Sequence, residues 1–186
     1  MGEYRQNNLK ICFFGAFFLF FWAQTNIVYC LPEVDTVVSG NVQFSNPDNA
    51  TLQISAEDKA IVEFKSFDIG TNEFVKILMP GSTDELLSRV INNKESSILG
   101  RLECNGILYL INQAGIKIGT GAKLDVAGLV AATRDISNDD FISSKYVFAK
   151  QSGTEGAISN AGTINISNNG FGLLIGGAVE NSGSIA

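Results

Sequence analysis

The chain has 186 residues, 45% hydrophobic and 17% charged, with 19 glycines, 3 prolines, 3 cysteines and no histidine. Without histidine it lacks the commonest general base, the usual activator of a nucleophilic Ser or Cys, and the commonest catalytic metal ligand. A formal charge of −6 speaks against nucleic-acid binding, which needs a basic surface to neutralise phosphates.

Residues 1–30 have the layout of a secretory signal. Arg5 and Lys10 give a positive start, and the uncharged run Ile11 to Ala23 supplies the apolar stretch. That run ends at Gln24-Thr25-Asn26, short of the roughly 20 apolar residues a membrane span needs; an uncleaved N-terminal anchor is the alternative. Val28-Tyr29-Cys30 before Leu31-Pro32 fits the cut site better than Phe21-Trp22-Ala23, whose bulk departs from the small-residue pattern. Tyr29 before Cys30 disfavours lipidation of that cysteine. Cleavage after Cys30 leaves Cys104 alone and unable to form an internal disulfide, so it reads as a small buried hydrophobe. The departing segment holds Glu3, Arg5 and Lys10 out of 19 acidic and 13 basic residues, so residues 31–186 carry about −7.

From Leu31 onward, short apolar alternations are broken by Gly and Asn, the pattern of half-buried strands between tight turns. The predicted strands are Val37 to Val42, Thr51 to Ile54, Ala60 to Phe64, Phe74 to Leu78, Ile98 to Leu102, Ile107 to Ile111, Ile116 to Ile118, Lys123 to Val126, Ile164 to Ile166 and Leu173 to Ile175. One helix start is predicted: Ser82-Thr83-Asp84-Glu85 before Leu86-Leu87 reads as a capping box. Asn105-Gly106 reads as a two-residue turn.

The C-terminal third contains a repeat. Gly156 to Ile164 (GAISNAGTI) reappears as Gly177 to Ile185 (GAVENSGSI), an offset of 21 residues between 156 and 177. Such a period, with short strands and Asn/Gly corners, matches one coil of a parallel β-helix, in which each coil stacks its apolar positions on the one below. Asn160 and Asn181 occupy equivalent positions and are candidates for an amide ladder of structural rather than catalytic meaning. The chain stops inside the second copy, which suggests a truncated product or the front of something longer, since an uncapped solenoid end exposes strand edges.

Sharper chemical motifs do not hold up. Gly119-Thr120-Gly121-Ala122-Lys123 lacks the spacing of a phosphate loop and runs on into a predicted strand. Asp135, Asp139 and Asp140 lack the Gly and distal Glu of a helical calcium loop and read as a solvated acidic loop. Glu57-Asp58 and Asp84-Glu85, conceivable acid/base pairs, sit in polar turn-like stretches. The aromatics Phe64, Phe67, Phe74, Tyr109, Phe141, Tyr146 and Phe148 fall mostly in strand patterns and read as packing residues. Asn49-Ala50-Thr51 and Asn165-Ile166-Ser167 match the glycosylation sequon.

A series of pieces carries a family resemblance. These include Leu31-Pro32, Ala60 to Gly70 (AIVEFKSFDIG), Ser88-Arg89-Val90, Ile98 to Leu102, Asn105 to Asn112 (NGILYLIN), Val126 to Ala131 (VAGLVA), Asp135-Ile136 and Asp140-Phe141. In this order and spacing the chain resembles the N-terminal secretion domain of two-partner-secreted exoproteins, also called the filamentous haemagglutinin N-terminal or haemagglutination-activity domain. The family signature Asn-Pro-Asn-Gly-aliphatic reads here Asn112-Gln113-Ala114-Gly115-Ile116, keeping the first Asn, the Gly and the Ile. No counterpart of the family's Asn-Pro-Asn-Leu motif is found.

The resemblance implies an all-β, right-handed parallel β-helix with an N-terminal β cap. It implies export through an outer-membrane β-barrel transporter with periplasmic POTRA domains, with residues 112–116 as the recognition motif and β-helix folding seeded outside the cell. About 7 coils are expected, rising about 4.8 Å each. The expected protein is a monomer without enzymatic activity, cofactor or nucleic-acid partner, secreted or held at the cell surface. The alternatives are an adhesin whose β-helix face contacts a host or neighbouring cell, and a remnant of a larger exoprotein.

Overall fold

The computed structural model describes residues 30–150, 153 and 155–186; the predicted signal, apart from Cys30, lies outside the described residues. The strands in chain order are β1 (Glu33–Ser39), β2 (Val42–Asp48), β3 (Thr51–Ala56), β4 (Ala60–Ser66), β5 (Phe74–Leu78), β6 (Glu85–Val90), β7 (Ser96–Ile98), β8 (Arg101–Asn112), β9 (Ile116–Ile118) and β10 (Lys123–Ala132). After the short helix α1 (Asn138–Ile142) come β11 (Ala157–Asn160), β12 (Thr163–Ile166), β13 (Gly172–Ile175), β14 (Ala178–Asn181) and β15 (Ser184–Ile185).

The strands wind into a right-handed parallel β-helix of about six turns with three faces. On the first face, Thr51 pairs with Phe74, Phe74 with Arg101, Arg101 with Lys123, Lys123 with Thr163 and Thr163 with Ser184. On the second, Ala60 pairs with Leu86, Leu86 with Leu108, Leu108 with Leu129 and Leu129 with Gly172. The third runs from the bridge Ile69–Ile98 through Ile118 and Asn160 to Asn181. Every register is parallel, so like positions stack: the inward row Leu52, Val75, Leu102, Leu124 and Ile164 is buried throughout. Such stacking makes each coil the template for the next.

At the N-terminal end the direction reverses. β1 lies antiparallel on β4 and β2 antiparallel on β3, so two capping strands cover the edges of the second and first faces. The turn between them passes through Gly40 at φ +80°, where a Cβ would sit 2.9 Å from Ala60 Cα. The predicted single strand Val37 to Val42 is therefore two strands separated by a turn. This cap, with a long excursion whose described part runs over residues 133–150, uses chain that the expectation of 7 coils assigned to the solenoid.

The excursion leaves between β10 and β11 and lies over the outside of the second face. There Ile61, Leu87, Tyr109, Val130 and Ile111 are buried with Ile136 and Phe141 of the excursion. Under the excursion the second face is thus buried on both sides, which is why residues 107–111 of β8 and 127–132 of β10 are continuous apolar runs rather than alternations. The same feature explains two corrections. Residues 127–132, with no alternation to mark them, extend β10 well beyond the predicted Val126. Leu86-Leu87, predicted to follow a helix cap, belongs to β6, because parallel partners on both sides and burial on both faces outweigh the local cap.

Two further predicted boundaries fail at corners. Asn105-Gly106 lies inside β8, where the strand passes from the first face to the second, and makes no hairpin. The Asn105 side chain donates to Met79 O (2.8 Å) and accepts from Met79 N (2.7 Å), fastening one coil to the one before. Predicted strand Ile98 to Leu102 is broken at Leu99-Gly100 into β7 and β8. A Cβ on Gly100 would fall 2.2 Å from Gly70 O, so only glycine allows these coils to approach.

Candidate functional site

The motif Asn112 to Ile116 forms the corner between the second and third faces. Asn112 ends the inward row Phe64, Val90, Asn112 and is 0% exposed. Its Nδ2 donates to Lys94 O and to Ser96 Oγ, both at 2.9 Å. Its Oδ1 accepts from Ala114 N (2.9 Å), and its carbonyl accepts from Gly115 N (3.1 Å). The carboxamide therefore closes a turn in its own coil and holds the preceding coil at the same time. Every hydrogen-bonding position used is one that an amide, and no other side chain of this size, supplies together.

Gln113 is the exposed residue of the turn, and Ala114 is partly exposed. Gln113 takes the position at which proline pre-sets a turn, whereas Ala114 N is already spent on the Asn112 side chain. Gly115 adopts φ +127°, and a Cβ there would meet Ala157 O at 3.0 Å. Ile116 is fully buried and begins β9. The next coil seats Gly156 on this corner, with Gly156 N donating to Gln113 O at 3.1 Å.

Asn160 and Asn181 come together on the third face. Asn160 Nδ2 donates to Asn181 Oδ1 at 2.8 Å, and Asn160 Oδ1 accepts from Gly162 N at 3.0 Å. Asn160 is buried and Asn181 exposed. Asn165, of the second sequon, donates to Asp125 Oδ1 across one coil (2.7 Å).

The carboxylates weighed as chemical groups hold the chain. Asp58 accepts from Glu85 N (2.9 Å) and Asp84 from Gly81 N (2.7 Å). Asp139 and Asp140 lie in the first turn of α1, capped by Ser137, whose side chain accepts from Asp140 N; the predicted acidic loop is in part this helix. Lys123 starts β10, so the Gly119 to Lys123 stretch leads into a strand. Burial pushes the Cys104 thiol up to about 11, and only a weak backbone hydrogen bond opposes it.

Sequence reasoning missed two clusters that fix the excursion. Glu85, mostly buried, pairs with Lys59 Nζ and accepts from Tyr109 (3.2 Å) and Tyr146 (2.6 Å). Burial of Tyr109, and then the charge of Glu85, hold its hydroxyl far above the usual tyrosine range. Burial disfavours the Lys59 ammonium, yet its contacts with Glu85 and Tyr146 outweigh that and raise it. Arg89, in turn, donates to Asp135 Oδ1 (2.9 Å), Asn138 Oδ1 (2.9 Å) and Ile136 O (2.7 Å). The one available signal was Arg89 itself, the lone cation of its strand.

Comparison with known proteins agrees with this geometry. The family model "TPS secretion domain" matches residues 33–186. A heme/hemopexin-binding protein of Haemophilus influenzae is 36% identical over 122 residues, covering 64% of this chain and 13% of that protein. Its counterpart from H. influenzae strain ATCC 51907 / DSM 11121 / KW20 / Rd is 32% identical over 162 residues, covering 83% of this chain and 18% of that protein. The chain thus spans less than a fifth of the length of these relatives. The crystal structure of the HMW1 secretion domain from Haemophilus influenzae superposes with a TM-score of 0.80 at 33% identity, over 83% of this chain and 41% of that one. By its motif series, its coil register and these matches, the chain belongs to the TPS secretion domains, the N-terminal secretion modules of two-partner exoproteins.

Proposed function

We propose that residues 31–186 act as a non-enzymatic export module, read by the POTRA domains of an outer-membrane β-barrel transporter while still unfolded, and that the β-helix forms only outside the cell. The observation that carries this is the burial of Asn112. In the folded domain its amide is spent on Lys94, Ser96 and Ala114, so a transporter reaches that side chain only before the corner closes. Once outside, each coil presents a row of apolar side chains and a parallel edge to the next, which makes folding vectorial. The carboxylates of Asp58, Asp84 and Glu85 are engaged in holding coils and excursion, which supports a structural rather than a catalytic role.

The test expresses the full chain with and without its barrel partner and follows the domain on intact cells and in the medium by protease accessibility. Partner-dependent appearance outside is expected. Asn112→Ala should lower export beyond what its folding loss explains, and Gln113→Pro, which restores the family residue at a position whose N–H is free of the Asx contact, should leave it intact or raise it. Wild-type surface levels of Asn112→Ala would remove the recognition role from this motif.

A further inference from the structure

Glu73 lies between Gly70 and β5 and is 5% exposed, yet it forms no ion pair with any Lys or Arg among the described residues. A buried carboxylate without a cation carries a large desolvation cost. Its Oε2 accepts from Gly70 N at 2.6 Å, and its Oε1 faces the backbone nitrogen of Cys30 at 2.5 Å. The other charged groups near Cys30 are Asp68, Lys94 and Glu95. Lys94 Nζ is directed at Asp68 (3.8 Å) and is largely exposed, so it does not neutralise Glu73. The segment behind this nitrogen is held from inside: Leu31 packs against the core and Pro32 is buried.

We propose that Glu73 seats the α-ammonium of the mature chain, so that removal of the signal completes the N-terminal cap electrostatically. The inference rests on the signal reading of residues 1–30 and not on the transporter reading. Hydrolysis of the bond before Cys30 adds one water, leaves a carboxylate on the departing peptide and turns the amide nitrogen beside Glu73 into an ammonium. Hydrolysis one bond later, at the end of the 1–30 signal, removes Cys30 with its hydrogen bond and creates the ammonium on Leu31, one residue further along the chain. The ion pair then requires the freed terminus to move toward Glu73. The first cut converts the neutral Cys30–Glu73 hydrogen bond into a charge-assisted one, and the second replaces it with an ion pair from the Leu31 ammonium. The uncut chain has the neutral hydrogen bond but not the charge. Its first-face and second-face edges are capped by β2 and β1, whereas the third face starts at the Ile69–Ile98 bridge beside Glu73, and this is the edge that processing would fasten.

The experiment uses the processed protein purified from the medium or periplasm. Mass spectrometry identifies its first residue, and the rate of α-amine acylation is followed against pH. The expected result is a terminus at Cys30 or Leu31 whose amine titrates at least one unit above the ordinary 7.7–8.0 and reacts at least tenfold more slowly at pH 7 than in Glu73→Gln. Glu73→Asp, which keeps the charge at shorter reach, should fall between them and serves if Glu73→Gln does not fold. A terminus elsewhere, or an amine that titrates in the ordinary range in the wild-type protein, overturns the proposal. Export through the barrel partner is a separate readout, so loss of one reading leaves the other standing.

Discussion

Asn160 donates its side-chain amide to Asn181, 21 residues on, across 2.8 Å between successive coils. The pair also satisfies Gly162 N through Asn160 Oδ1, so one buried carboxamide serves its own corner and the next coil. Asn160→Ala leaves Gly162 N buried without its acceptor and should cost about 1–3 kcal/mol, whereas exposed Asn181→Ala should cost less than about 1 kcal/mol. A double-mutant cycle by urea unfolding should give a coupling of about 0.5–1.5 kcal/mol. Additive losses would mean that the amides do not act together.

A second prediction has the opposite sign. Ser88 sits in the inward row between Val62 and Leu110, fully buried, and its hydroxyl has no hydrogen-bond partner. Removing an unsatisfied buried hydroxyl relieves a desolvation penalty. Ser88→Ala should therefore be neutral or more stable by up to about 1 kcal/mol, seen as a higher urea midpoint at unchanged slope. A loss of stability greater than this would show that the hydroxyl is engaged in solution.

Much of this architecture was legible in the residues. The repeat from Gly156 to Ile185 marks one coil, and β5 and β9 fall where alternation and flanking turns put them. What stayed hidden shares one physical cause. Periodicity reports a face only when one side of a strand meets water, and the second face is buried on both sides, so residues 127–132 and β6 carried no alternation to read. The excursion is specified by Arg89, Glu85 and Lys59, charges far from it in sequence. At the candidate site, Asn112 was legible as a turn residue, but its grip on Lys94 and Ser96 depends on coil register that only the fold supplies.

Asp125 gives a pH-dependent prediction. Its hydrogen bond from Asn165, aided by Lys123 and Arg101, holds its carboxyl below the ordinary aspartate range against an opposing effect of burial. A carboxyl depressed in the folded state adds stability at pH values above the unfolded aspartate value and loses it as pH falls through the folded value. The contribution should be under about 1 kcal/mol for this partly exposed group, and should fade on acidification below about pH 4. Carbon-detected NMR titration of the carboxyl reads it directly: Asn165→Ala should move the Asp125 midpoint up toward the ordinary value. An unchanged midpoint would assign the shift to the two cations alone.

The last prediction concerns the excursion, which is bound to the second face by Arg89 and by Phe141. Arg89 is mostly buried and contacts Asp135, Asn138 and Ile136 of the excursion, while Phe141 stands edge-on to Tyr109 at 5.2 Å between ring centres. Replacing Arg89 by Met keeps the apolar stem and removes the charge, leaving Asp135 and Glu63 unpaired beneath the excursion. Breaking such a half-buried network should cost about 2 kcal/mol, below the figure for a fully buried pair because Asp135 retains access to water. The loss should appear as local opening rather than global unfolding, since the coils beneath are held by their own ladders. Hydrogen exchange should therefore quicken roughly 30-fold at Asp135 and Ala149, whose amides bond each other's carbonyls at 3.2 and 2.8 Å, and stay unchanged at Leu102 and Leu124 within the stack. Equal acceleration at all four amides would show that excursion and solenoid open as one cooperative unit, and that the Arg89 contacts belong to the folding of the whole domain.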